Sequence, residues 1–216
     1  MLQIKNVTKT FGSIKAVDQV SFEVKDKEFV FLTGPSGAGK TTLLRLIIGD
    51  LKPNDGQIYI DGKDVAKLSY KELPFIRRQV GVVFQDFKLF PEKTVEENVQ
   101  IALAVIGLAE DKWGERVKHV LEETNLIERK SLFPSQLSGG ELQRLAMARA
   151  LVVEPKIVLA DEPTGNLDWE TAGHIMAILE RVNNEGKTVI VASHHQAIIE
   201  KMNKRIIRLK SGKIIK

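Results

Sequence analysis

Apolar residues recur at two periods along this chain, and the alternation between those periods predicts an α/β fold. Leu2 and Ile4, then Val20, Phe22 and Val24, fall on every second position with polar residues between them, as in strands with one solvated face. Glu28-Phe29-Val30-Phe31-Leu32-Thr33 is instead a nearly unbroken apolar run, the mark of a strand buried on both faces. From Lys40 to Gly49 the period changes, and Leu43, Leu44, Ile47 and Ile48 predict a helix. Pro53-Asn54-Asp55-Gly56 predicts a turn, with strands at Gln57–Ile60 and Val80–Phe84 on either side of a polar stretch.

After residue 86 the character shifts. Val95 to Ile106 and Trp113 to Leu126 carry helical periodicity with no strand between them, and Leu142 to Leu151 predicts a further helix. These segments form an inserted helical lobe, at about residues 86–155 of a single domain spanning 1–216. Strand–helix alternation returns with a strand at Ile157–Ala160, a helix over about 170–184 and a strand at Thr188–Ala192. Such alternation implies a mainly parallel sheet with helices on both faces.

Composition narrows the classes. With 43% hydrophobic and 28% charged residues, the chain reads as an ordinary soluble globular protein. It has no cysteine, which excludes disulfides and thiolate metal sites. The first residues lack a signal-peptide pattern. The longest apolar run, Ile101 to Ala109, is far short of the roughly 20 residues that span a bilayer, so a membrane role would go through a partner. The net charge is only +4, and the basic residues of 201–216 alternate with apolar ones rather than clustering with aromatics, so no nucleic acid is expected.

The chemistry begins at Gly34-Pro35-Ser36-Gly37-Ala38-Gly39-Lys40-Thr41, with Thr42 beside it. The segment fits G-x-x-x-x-G-K-[ST], follows a predicted strand and opens a predicted helix. Glycines let backbone N–H groups wrap phosphates, and the helix N-terminus adds a favourable dipole. Lys40 would reach the β- and γ-phosphates of a nucleotide, and the Thr41 hydroxyl would bind Mg²⁺. Ile157-Val158-Leu159-Ala160-Asp161-Glu162 is an apolar strand ending in two carboxylates. Asp161 would hold Mg²⁺, directly or through water, and Glu162 would orient and polarise an attacking water. Far from both in sequence, Ser138 sits where it would cap a helix that opens with Gly139-Gly140-Glu141. That start makes a second anion cradle, with no obvious ligand of its own.

With Leu137-Ser138-Gly139-Gly140-Glu141 in place, the chain resembles an ATP-binding cassette ATPase over its full length. The resemblance implies a P-loop fold with a RecA-like, mainly parallel core, an N-terminal antiparallel β subdomain and an inserted α-helical subdomain. In that family two cassettes pack head to tail, and each signature closes over the ATP held by the other. Ser138, Gly139 and Gly140 would then touch ATP bound by a second copy. Gln85 resembles the Q-loop glutamine, a contact for Mg²⁺ and water. Asn166-Leu167-Asp168 resembles the D-loop, which lines the seam between copies. His194 resembles the switch histidine, and Phe11 takes the place of the aromatic that stacks on adenine. The implied ligands are ATP and Mg²⁺. Two departures stand out. His195 follows His194 where the family usually has an acid, so an exchange of roles between them stays open, although His194 directly follows the strand end Val191-Ala192-Ser193. Leu142 stands where glutamine is frequent.

Within the family, Ile76-Arg77-Arg78, Val80 to Phe87, Leu89-Phe90-Pro91 and Thr94 to Val99 are most similar to bacterial cell-division cassettes, and Gln85-Asp86-Phe87 discriminates best. The string Thr164 to Asp168 is shared with lipoprotein-release and macrolide-export cassettes, which form the alternative. The resemblance implies a homodimer on the cytoplasmic face of the bacterial inner membrane, at the division site, held there by an integral membrane partner. A groove near Gln85 and residues 87–99 would receive that partner.

Overall fold

Every residue of β3 (Phe29–Thr33) except the last is buried, and its two faces serve two different cores. Phe29 and Phe31 point into one, and Val30 and Leu32 into the other. A strand can be apolar on both faces only where both are covered, so this short segment sets the layering of the molecule. The computed structural model describes residues 2–165 and 167–215.

β3 lies inside a six-stranded sheet of order β10-β9-β3-β8-β7-β6, where β6 is Val80–Val83, β7 Ile157–Asp161, β8 Thr188–Ala192, β9 Arg205–Lys210 and β10 Lys213–Ile215. All neighbours from β9 to β6 pair in parallel, and only β10 is antiparallel, at the edge. A second, wholly antiparallel sheet has the order β2-β1-β4-β5, from β1 (Leu2–Phe11), β2 (Ile14–Val24), β4 (Asp55–Ile60) and β5 (Lys63–Asp64). The α/β class, the mainly parallel core and the N-terminal antiparallel sheet are as the sequence predicts.

Helix α1 (Lys40–Ile47) packs between the sheets and buries Leu43, Leu44, Leu46 and Ile47. Between β6 and β7 run α3 (Val95–Ile106), α4 (Trp113–Glu123) and α5 (Gly139–Leu151). Thr94 and Glu97 form a reciprocal capping box at the start of α3, and Gly107 turns it off in a left-handed conformation. α4 stops three residues before the predicted Leu126, because Asn125 adopts φ 53° and cannot continue the helix. Two further helices, α2 (Leu73–Arg77) and α7 (Gln196–Met202), have no counterpart in the sequence reading. α6 (Trp169–Asn184) lies against the sheet and α5. Among the described residues, no helix is long and apolar enough to cross a membrane.

Candidate active site

The phosphate loop fills the gap between β3 and α1, and neighbouring backbone presses on it from two sides. At Gly34 (φ 151°) a Cβ would lie 2.1 Å from the Leu209 carbonyl oxygen of β9. At Gly39 (φ 103°) it would lie 2.3 Å from the Ala16 carbonyl oxygen of β2. Both positions therefore require glycine, sterically and for their dihedrals. Lys40 is only 7% exposed. Its ammonium donates to the carbonyls of Gly34 (2.8 Å) and Pro35 (3.3 Å), which fold the loop back over the head of α1.

The parallel register carries β7 and β8 to the same edge. Glu162 leaves β7 with φ 46°, an uncommon conformation for a residue other than glycine. Its backbone N–H donates to the Ala192 carbonyl (2.8 Å), which holds that turn against the end of β8. The Glu162 carboxylate lies 3.3 Å from the Lys40 ammonium and 2.9 Å from Nδ1 of His194, and the His194 N–H reaches its other oxygen at 3.4 Å. Asp161, one residue earlier, is buried and interacts with the Thr41 hydroxyl, while its Oδ1 has no hydrogen-bond partner. Burial pushes its pKa above the usual carboxylate range. The Thr41 hydroxyl pulls the other way, the Glu162 charge pushes further up, and Lys40 opposes.

A pocket of about 390 Å³ gathers these groups. Phe11, residues 36–42 of the loop and α1, Gln85, Glu162 and His194 line it together, and Ala16 completes the wall. Phe11 is 47% exposed at the end of β1, with the Lys9 ammonium 5.4 Å from its ring centroid. Gly34 and Pro35 shape the loop from behind. Asp161 lies under Thr41, where it lines an adjoining groove. An unpartnered buried carboxylate oxygen beside a hydroxyl, with the Gln85 amide nearby, is an oxygen-only donor set of the kind Mg²⁺ takes. Among the described residues no group of three or more His, Asp or Glu could hold a metal by itself.

The structure does not bring Ser138, Gly139, Gly140 or Asp168 into that pocket. They form a separate, largely exposed patch. Ser138 caps α5 in a reciprocal box with Glu141, whose carboxylate accepts from the Ser138 N–H and hydroxyl at 2.8 Å each. Those bonds hold the Glu141 pKa below its ordinary value. Asp168 caps α6 by accepting from the Thr171 N–H at 2.9 Å, and the Thr171 hydroxyl and N–H keep its pKa low. Thr171 joins the two caps, since a Cβ on Gly140 would lie 2.5 Å from its methyl group. Asn166 lies outside the described residues.

Arg149 was not singled out in the sequence. Beyond Gln85 the chain passes through Phe87 (φ 58°) and Lys88 (φ 51°), two successive left-handed residues that are not glycine. The Arg149 guanidinium, reaching from α5, donates to both their carbonyls, at 2.7 Å for Phe87. Its burial lowers the guanidinium pKa. The only sequence signal is a charge inside an apolar helical stretch, Met147 to Leu151. The loop it holds borders a groove of about 1100 Å³ that is floored by Leu44, Ile48 and Val82.

A nucleotide-sized pocket built on a phosphate loop, with a carboxylate and a histidine opposite, defines a P-loop ATPase, and its capped companion patch narrows the class. The family model described as ABC transporter matches residues 17–165, and the chain belongs to that family of ATPases. It is similar along its whole length to proteins named cell division ATP-binding protein FtsE. That of Bacillus subtilis is 46% identical over 217 residues, covering 100% of this chain and 95% of that protein. That of Mycobacterium tuberculosis is 43% identical, covering 100% and 95%, and that of Escherichia coli K12 is 42% identical, covering 98% and 96%. Among solved structures, the bacterial ABC transporter cassette MJ0796, determined as a dimer, superimposes with a TM-score of 0.92 at 40% identity, covering 100% of this chain and 97% of that one. Its dimeric post-hydrolysis state bound to ADP and Pi gives 0.91.

Proposed function

We propose that this chain is the ATPase subunit of an FtsE-type cell-division complex, working as a head-to-tail homodimer bound to the membrane protein FtsX. The observation that carries this reading is similarity to FtsE proteins from end to end, at 42–46% identity, rather than over the cassette motifs alone. Thr41, Asp161 and Gln85 would hold Mg²⁺, which neutralises phosphate charge when bound. Lys40 would turn from Glu162 and the loop carbonyls to the β- and γ-phosphates. Glu162, released from that pair, would accept a proton from the attacking water as general base. His194 would keep the Glu162 carboxylate aimed through Nδ1 and offer its other ring nitrogen to the γ-phosphate. Phe11 would stack on adenine. Ser138, Gly139, Gly140 and Asp168 lie apart from the pocket in one copy, which supports a site completed by the signature of a second. The groove beside Gln85 would receive FtsX and pass closure of the dimer to it. In the cell-division branch this motion activates peptidoglycan hydrolases outside the membrane, with the ATPase held at the cytoplasmic face.

Co-purification from native membranes tests the reading. Recovery of a four-span protein with a large extracytoplasmic loop is expected. Recovery of a multi-span permease would instead place the chain in an export or lipoprotein-release system, as the shared segment Thr164 to Asp168 allows.

A further inference from the structure

Trp169, the first residue of α6, is 54% exposed, yet its indole contacts two groups, one at the cap of α7 and one within it. The His195 ring is 5.8 Å away, centroid to centroid, and tilted by 43°. The Lys201 ammonium, on α7, is 5.8 Å from the indole centroid. Tilted aromatic pairs at such separations attract, and a cation over indole adds to the contact. His195 is anchored elsewhere by its backbone. Its N–H donates to the Ser193 hydroxyl at 3.1 Å, and its carbonyl accepts from Ile198 and Ile199 at 3.2 Å each. The ring contact with Trp169 adds a side-chain tether to that backbone anchoring. The residue before it is His194, whose Nδ1 must stay 2.9 Å from the Glu162 carboxylate although its side chain is mostly exposed.

We propose that Trp169 and His195 act as one positioning unit that aims His194 at Glu162. Trp169 directly follows Asp168, on the patch that carries Ser138 and Gly140, so the unit ties the seam-facing edge of the molecule to the histidine in the pocket. It also gives His195, which stands where the family usually has an acid, a task of its own. The proposal rests on the reading of Glu162 and His194 as the hydrolytic pair.

Steady-state ATP hydrolysis by the purified full chain, with ATP affinity measured by calorimetry, tests it. Trp169→Ala should lower kcat by roughly 2- to 12-fold, the factor that loss of one aromatic pair corresponds to. KM and ATP affinity should be unchanged. Trp169→Phe should restore most of the rate, which a defect in folding would not allow. His195→Ala should match Trp169→Ala, and the double variant should be no slower than the slower single one. Normal kcat in Trp169→Ala, or a double variant slowed by the product of the two factors, would overturn the proposal. In a Glu162→Gln background, Trp169→Ala should leave the ATP-dependent dimer intact. Loss of that dimer would mean that Trp169 acts across the seam instead. His194→Ala separates the levels: it should slow hydrolysis more than either variant, and an unchanged rate there would sink the reading on which the proposal stands.

Discussion

At the scale of single residues, the site is held at a cost to the fold, and Asp161 shows how. Its carboxylate is buried with one oxygen unpartnered, and burial raises its folded-state pKa. The native state therefore holds that proton more tightly than the unfolded chain. The site's contribution to stability is full below the ordinary carboxylate range and is lost as pH rises through the raised pKa. Above the raised pKa the cost is complete. Asp161→Asn removes it, and the nucleotide-free protein should melt higher by roughly 2–4 °C for each kcal/mol relieved. The gain should shrink as pH falls toward 4, and Mg-ATP should no longer raise the melting temperature. Calorimetric melts at several pH values check this, and a gain independent of pH would contradict it. The carboxylate itself was legible in the sequence, because an apolar strand ending in Asp-Glu beside a phosphate loop leaves few other readings. Its unpaired oxygen was not, because that depends on what β6, α1 and β7 leave around it.

At the scale of elements, legibility followed length and capping. Residues 95–106 form a helix at the predicted bounds, since periodicity, the Thr94–Glu97 box and Gly107 all agree. α2 and α7 are five and seven residues long, and neither has a side-chain cap, so packing alone makes them helical. The turn after Gln85 was illegible for another reason. Phe87 and Lys88 are poor left-handed residues, and the Arg149 clamp, 61 or more positions away, adds to the local bonds to Phe84 and Asp86 that keep them there. Arg149→Met should cost about 1.5–3 kcal/mol, the range for hydrogen bonds to a charged group. It should also let the loop relax, because a left-handed residue of this kind costs about 1–3 kcal/mol to hold. Limited trypsin digestion reads this out at Lys88. Faster cleavage there than in the native chain is expected, and equal rates would show that the clamp is not what holds the turn.

At the scale of the molecule, the six-stranded sheet separates two cores, and the pocket sits at the edge the parallel strands share. The signature patch lies outside that pocket, and on the proposed reading it completes the site of a second copy. Glu162→Gln keeps the size of the side chain but removes the proposed base. It should slow hydrolysis by about 10²- to 10⁴-fold and accumulate an ATP-bound dimer on size exclusion with Mg-ATP. A profile showing monomer only would break the shared-site reading.

The hairpin between β9 and β10 has a consequence in time. The Gly212 N–H donates to the Ala38 carbonyl (3.2 Å), its own carbonyl accepts from Asp18 (2.8 Å), Lys213 pairs with Asp18 (3.3 Å), and Leu209 walls in Gly34. The loop spelled out at residue 34 therefore takes part of its support from residues made some 170 positions later. A nascent chain that has reached residue 204 should carry the whole loop sequence and retain no ATP, and a purified 1–204 fragment can be tested for this by equilibrium dialysis. On that outcome nucleotide would not act as a folding aid before this hairpin is made. Competence to bind should wait for residues 205–215, and a ribosome that stalls before this hairpin should release a product without ATPase activity.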